Sequence, residues 1–238
     1  MRVDRAELAR VALDGYPHGT TASTDGANVA LAKTPDPVAM MLVEGVSDQI
    51  AVETLAARRG RHLTIERVAV VPIGGAGAIG RVLAEHASAT LRLVALCDAG
   101  EEALVRRGIE ASGLQVSVFV CVTDLEAELI RAVGVEKALA VLDSQGDLGS
   151  FTTLQKQVAW RGRPPEAQLR RFIGAGAGRK FRYARLLTGA AVDLDRAPRS
   201  LTDALDASCC QAHHRDHPSH TAFRSHHLGN SSATRPCR

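Results

Sequence analysis

Five carboxylates fall where an apolar run gives way to a polar one: Glu44 and Asp48 in LVEGVSDQ, Asp98 in LVALCDAG, and Asp124 and Glu126 in CVTDLEAE. Each apolar run is short and reads as a strand, so these acids sit at strand ends or in the first turn beyond them. Carboxylates brought to one crevice repel one another unless a cation neutralises them, and hard oxygen ligands select Mg²⁺, Mn²⁺ or Ca²⁺. A second group of charges lies further along the chain. Residues 156–185 hold nine Lys or Arg against one Glu, whereas residues 98–128 hold seven Asp or Glu against two Arg. That split suits an anionic ligand handled by metal-binding carboxylates and guided by a separate basic wall; the competing reading is two solvated helix faces.

A third pattern points elsewhere. VVPIGGAGAIG places Gly75, Gly77 and Gly80 in a GxGxxG spacing after a strand, and Asp98 follows 23 positions after Gly75, where a dinucleotide fold keeps its ribose-binding acid. This predicts an NAD-dependent oxidoreductase as one alternative. It leaves Glu44, Asp48 and the basic segment without a task, and a lone GxGxxG is a weak signal.

The elements that would position these residues alternate regularly. AMMLVEG precedes SDQIAVETLAARRG; VAVVPIGG precedes AIGRVLAEHA; LRLVALCD precedes EEALVRRGIEASG; VSVFVCVT precedes DLEAELIRAVG. Four strand–helix units in succession predict a parallel sheet with right-handed crossovers and helices on both faces. Aromatics make up 3% of the chain and hydrophobics 45%, so the core must be built from Ala, Val, Leu and Ile, which argues against a β-sandwich. Ligands of such sheets sit beyond the carboxyl ends of the strands, where the acids are.

Outside this repeat, residues 1–37 are rich in Gly, Thr, Asp and Pro and predict a flexible N-terminal arm. Residues 38–150 form the core, and residues 151–206 a basic helical extension that completes the domain. Residues 207–238, with six of the nine His and three of the five Cys, predict a disordered His-rich tail whose spacing matches no closed zinc site. The tail also carries the whole net charge of +3, since it holds four Arg against one Asp. An odd number of cysteines without framework spacing, a charged opening MRVDRAELAR and no run long enough to span a bilayer predict a cytoplasmic protein without membrane association.

MLVEGVSDQIAVETLA, VAVVPIGGAGAIGRVL and LRLVALCDAGEE together resemble the TOPRIM domain of topoisomerases, bacterial primases and OLD-family nucleases. CVTDLEAELIRAVG and GAGAGRKFRYARLL bring the likeness nearest to the OLD-type branch, over roughly residues 38–203. The resemblance implies a Rossmann-like parallel sheet and a metal-dependent nuclease or nickase using Mg²⁺ or Mn²⁺. In that pattern Glu44 matches the first-strand glutamate, a metal ligand or general acid/base, and Asp48 an additional acidic ligand. Asp98 matches the first aspartate of a DxD motif, Glu126 a glutamate of the fourth unit, and Lys180 a catalytic lysine near the scissile phosphate. The second aspartate of DxD is absent, because Gly100 stands there; Glu101, Glu102 or Glu126 would have to supply the second cation's ligand.

DNA is the implied substrate, with RNA not excluded, and Arg170, Arg171, Arg179, Arg182 and Arg185 are expected to hold its phosphates. So few aromatics predict little base stacking. OLD-family nucleases also carry an ATPase, and no GxxxxGK[ST] occurs in the sequence, so ATP dependence would require a separate ATPase partner chain. A homodimer is a further expectation. Structural roles compete with several assignments: Thr123 and Glu126 fit a capping box, Asp48 the N-terminal end of a helix dipole, Asp124 a helix start and Lys180 a solvated surface. A TOPRIM module that binds nucleic acid or a partner without catalysis is the second alternative function.

Overall fold

The computed structural model describes residues 15–17 and 19–209. Its centre is a four-stranded parallel sheet of β1 (Ala39–Val43), β2 (Val68–Pro72), β3 (Arg92–Asp98) and β4 (Val116–Cys121), in the order β2-β1-β3-β4. Every residue of β1 and β2 is buried, as in strands covered on both faces, and the predicted strand runs are all present. Cys97 and Cys121 are free and buried within strands β3 and β4.

Met41 and Val43 of β1 point to one face, against α2 (Val46–Arg58) and α5 (Leu125–Val133). Met40 and Leu42 point to the other, against α3 (Ile79–His86) and α4 (Glu102–Ser112). The chain leaves β1 towards β2 on one side and returns to β3 on the other, so strand order reverses between β1 and β3. A crevice forms at such a reversal, beyond the carboxyl ends of the two strands. Glu44 follows β1 directly, and Asp98 ends β3 beside Cys121 of β4.

Five further helices follow: α6 (Val135–Ser144), α7 (Leu148–Lys156), α8 (Pro165–Gly174), α9 (Ala177–Asp193) and α10 (Arg199–Ala207). Phe151, Leu169, Phe172, Tyr183, Leu187 and Leu201 bury into the same cluster as Met41 and Val43, so these helices share the core of the sheet. α9 lies along α2. Among the described residues no helix is long and apolar enough to cross a membrane.

The expectation of a flexible arm over residues 1–37 is corrected in part. Ala22–Lys33 is a helix, α1, packed on the β2 edge. Its small residues permit the contact: a Cβ on Gly26 would stand 2.8 Å from Pro72 Cγ. Closing an edge strand in this way removes a row of unpaired backbone groups from solvent. Most of the predicted disordered tail, from residue 210 onward, lies outside the described residues.

A second close approach joins α3 and α4, where a Cβ on Gly108 would meet Ile79 Cγ2 at 2.5 Å and the Gly80 nitrogen at 3.4 Å. Gly80, the last glycine of the GxGxxG, therefore packs a helix against a helix. Gly108→Ala is expected to destabilise the fold by about 1–2 kcal/mol, overpacking outweighing the gain in helix propensity. A lowered urea midpoint at unchanged slope would show it.

Candidate metal centre and basic cleft

Glu44 is held from behind by the glycine-rich loop. The Gly74 and Gly75 amides both donate to the Glu44 carbonyl, at 3.1 and 3.0 Å, and the Ile73 amide donates to the Val43 carbonyl at 2.8 Å. Presenting two successive amides to one carbonyl requires φ of +80° and +101° at Gly74 and Gly75, a region that favours glycine. The next amide, of Ala76, donates to Glu101 Oε2 at 3.1 Å. Three amides of the loop are thus engaged by protein acceptors rather than offered to a phosphate, which counts against the oxidoreductase reading.

The acids gather at the strand reversal. Asp48, in the first turn of α2, accepts from the Gly45 amide at 3.1 Å and from the Ser47 hydroxyl at 3.3 Å, so it does serve the helix start. Burial and the Glu126 and Glu44 charges nevertheless push its carboxyl up to about 7. Asp98 is pushed up to about 8 by burial, then by Glu44, Asp48, Asp124 and Glu126. Glu44 is also raised, by burial and by Glu101, and among the described residues its Oε2 is buried without a hydrogen-bond partner.

Glu126 is 7% exposed, and its Oε1 lies 3.2 Å from Lys180 Nζ. The capping-box expectation for Thr123 and Glu126 is corrected: Asp124 caps α5, accepting from the Ala127 amide at 2.8 Å, which leaves the Glu126 carboxylate for the lysine. Burial pulls the Lys180 pKa down, but Glu126, Asp48 and Asp124 together raise it, so the ammonium stays charged.

Some predicted residues lie elsewhere. Glu102 pairs with Arg106 at 2.7 Å one helical turn on, while Glu101, at the N-terminal boundary of α4, turns its carboxylate to the loop and Glu44. Arg182 is buried against Asp147 and does not belong to a phosphate-binding wall. Arg185 faces the Tyr16 ring, 5.6 Å from its centroid, and the Arg179 guanidinium lies 4.1 Å from the Phe172 centroid while donating to the Phe172 carbonyl. These three are turned towards the fold for a common reason: their helix face packs on the core.

Arg170 and Arg171 do reach a cleft, of about 630 Å³, that shares Asp124, Glu126 and Lys180 with the acidic centre. Arg170 is fixed there by Asp124 at 2.5 Å. Trp160 and Arg163 line the same cleft from the turn between α7 and α8, and neither was singled out by sequence. Their signal was position: the turn precedes Pro164 and Pro165, which fix the start of α8.

Among the described residues no three His, Cys, Asp or Glu side chains converge as a ready-made metal site. The four acids conflict electrostatically instead, and this has a measurable sign. With Asp48 and Asp98 raised far above about 3.9, the folded state binds more protons than the unfolded chain between about pH 4 and 8. Stability is therefore greatest at the acid end of that window and is lost as pH rises through it. In EDTA the melting temperature is expected to fall on the order of 5 °C from about pH 5.5 to about pH 8.5, with Asp98→Asn flattening the slope. A flat wild-type profile would show that the carboxyls ionise without mutual hindrance.

Residues 38–99, which include Glu44, Asp48 and Asp98, match the family model of the overcoming lysogenization defect (OLD) protein-like TOPRIM domain. That segment is similar to an OLD-like TOPRIM domain. Among solved structures, the C-terminal region of the Xanthomonas campestris pv. campestris OLD protein aligns with a TM-score of 0.52 and 22% identity, covering 72% of this chain and 92% of that one. The C-terminal region of the Burkholderia pseudomallei OLD protein aligns with a TM-score of 0.50 and 17% identity, covering 71% and 96%. Both likenesses concern the fold, and each covers more of the chain than the TOPRIM match does. No curated protein matches the chain.

Proposed function

We propose that this TOPRIM domain is a metal-dependent nuclease that cleaves DNA phosphodiesters. The observation that carries this reading is the arrangement at the strand reversal. Glu44, Asp48 and Asp98 have raised proton affinity from burial and from one another and Glu126, and Glu126, beside the Lys180 ammonium, lines a cleft that also holds arginines. The donor set fits a hard divalent cation: all ligands are oxygens, and Glu44 Oε2 is buried without a partner. Bound Mg²⁺ or Mn²⁺ would supply Lewis acidity and a nucleophilic water of lowered pKa.

The protein's own groups divide the remaining work. Glu44, fixed through its backbone by Gly74 and Gly75 and with a buried, unpartnered Oε2, would ligate the cation or accept a proton. Lys180 stabilises charge that develops on the phosphoryl oxygens, as a preorganised cation in a partly desolvated site. Arg163, Arg170 and Arg171 hold flanking phosphates, contacts that position the strand without reading its sequence. The three thiol cysteines among the described residues suit action in the cytoplasm.

The test incubates the protein with supercoiled plasmid and linear DNA in Mg²⁺, Mn²⁺ or EDTA, beside Glu44→Ala and Lys180→Ala. Cation-dependent cleavage lost in both variants is expected; equal nicking by all three proteins would overturn the assignment. Substitution of the second DxD aspartate by Gly100 favours one other reading, a binding module without catalysis. Calorimetry distinguishes it, since that module would show no Mg²⁺ or Mn²⁺ binding dependent on Glu44 and Asp98.

A further inference from the structure

The chain has one tryptophan, and it lines the cleft that opens on Lys180 and Glu126. Its surroundings are organised to hold it there. Gln168, on α8 and only 5% exposed, donates from Nε2 to the Trp160 carbonyl at 2.8 Å and accepts at Oε1 from Gln155 Nε2 at 2.7 Å. The Trp160 amide donates to the Gln157 carbonyl at 2.9 Å, and the Arg163 amide donates to the Trp160 carbonyl at 3.1 Å. A buried amide side chain thus uses both ends to fix the turn, and the turn sets a half-buried indole beside Arg163 and Arg171. Among the described residues neither arginine has an ion-pair partner, so both are available to anions.

We infer that Trp160 is a stacking platform for an unpaired nucleobase, so the cleft takes single-stranded polynucleotide next to the scissile phosphate. This rests on the nuclease reading and narrows its substrate class. A nucleobase has two flat faces open to an indole only when it is out of the duplex stack, and a single aromatic flanked by cations meets a base and its neighbouring phosphates together. The cleft volume, about 630 Å³, lies within the range of small-ligand sites and so suits a nucleotide or two of single strand. Gln168 acts through Trp160, as a positioning residue.

The lone indole is also the reporter. Trp fluorescence of the wild-type protein is titrated with a dT oligonucleotide, an oligo(U) of equal length and a blunt duplex, in Ca²⁺ and in EDTA. Affinities of wild type, Trp160→Ala, Trp160→Phe and Gln168→Ala are measured in parallel by anisotropy of the labelled oligonucleotides. Saturable quenching by either single strand is expected, with little from the duplex; which strand quenches more identifies the sugar. Trp160→Ala should weaken single-strand binding about 10-fold and leave duplex binding unchanged, Trp160→Phe should recover part of the loss, and Gln168→Ala should fall between. Equal affinity of wild type and Trp160→Ala for every ligand, with plasmid cleavage intact, overturns the stacking role while leaving the nuclease in place. Absence of both binding and cleavage by the wild type overturns the two together.

Discussion

Lys180→Ala is expected to slow cation-dependent cleavage about 10²- to 10³-fold, the usual cost of deleting one preorganised charge-stabilising group. The expectation rests on where the ammonium is held. It starts from the first turn of α9, lies 3.2 Å from Glu126 Oε1, and stays charged because the acids around it outweigh its desolvation. An ammonium acting only on the transition state lowers the maximal rate and leaves KM little changed. Initial nicking rates on saturating plasmid, with melting temperatures of the same samples, separate this from loss of fold. Glu44→Ala should cost at least as much if the proposed role holds, since it removes the carboxylate assigned there to ligation or proton transfer. A Lys180→Ala rate within about 3-fold of wild type would reduce the lysine to a counter-ion for Glu126.

Asp147→Ala is expected to destabilise the protein by about 3–5 kcal/mol, the cost of stranding one member of a buried ion pair. Asp147 and Arg182 are 5% and 7% exposed, and the Asp147 carboxylate accepts from the Arg182 guanidinium and, at 2.8 Å, from the Tyr183 hydroxyl. Its loss leaves a guanidinium buried without a counter-charge, and Arg182 Nε already lacks a partner among the described residues. The melting temperature should drop by roughly 10 °C. The double change Asp147→Leu with Arg182→Met should recover much of it, because removing both charges also removes their desolvation cost. A loss below about 1 kcal/mol would mean that water reaches the pair. Arg182 is two residues from Lys180 on the same helix, so this network also fixes the helix that presents the lysine.

The sheet and the acidic centre were legible in sequence because both rest on local patterns. Apolar runs fully buried on two faces announce parallel strands, and the residues leaving those strands fall at their carboxyl ends wherever the helices pack. Glu44, Asp48, Asp98, Glu126 and Lys180 were expected on that basis or through the TOPRIM resemblance, and the fold brings their charges within reach of one another. The basic wall was less legible because a charge run carries no direction. Lys180 and Arg182, two apart on a helix, cannot face the same way, and that spacing alone separates the cleft residue from the buried one. Glu101 and Glu102 pose the same problem at a helix start, where one residue's difference turns a carboxylate from the loop to Arg106. α1 escaped notice because Ala, Gly, Ser and Thr give no strong apolar period, yet small residues are what a helix needs to lie close to Pro72. Trp160 sits in a turn held by a glutamine from another helix, a long-range contact without local signature.

The hydrogen bonds from Gly74 and Gly75 to the Glu44 carbonyl make two occupations of one loop mutually exclusive. An anion seated on these two amides would need them pointing outward; here they point at the backbone that carries Glu44. Recruiting the loop for a nucleotide would strip the carbonyl of its donors and loosen Glu44, so gain of one ligand would cost the other. The same glycine spacing that serves as an anion cradle in one lineage of folds can therefore act in another as a lock against that very ligand.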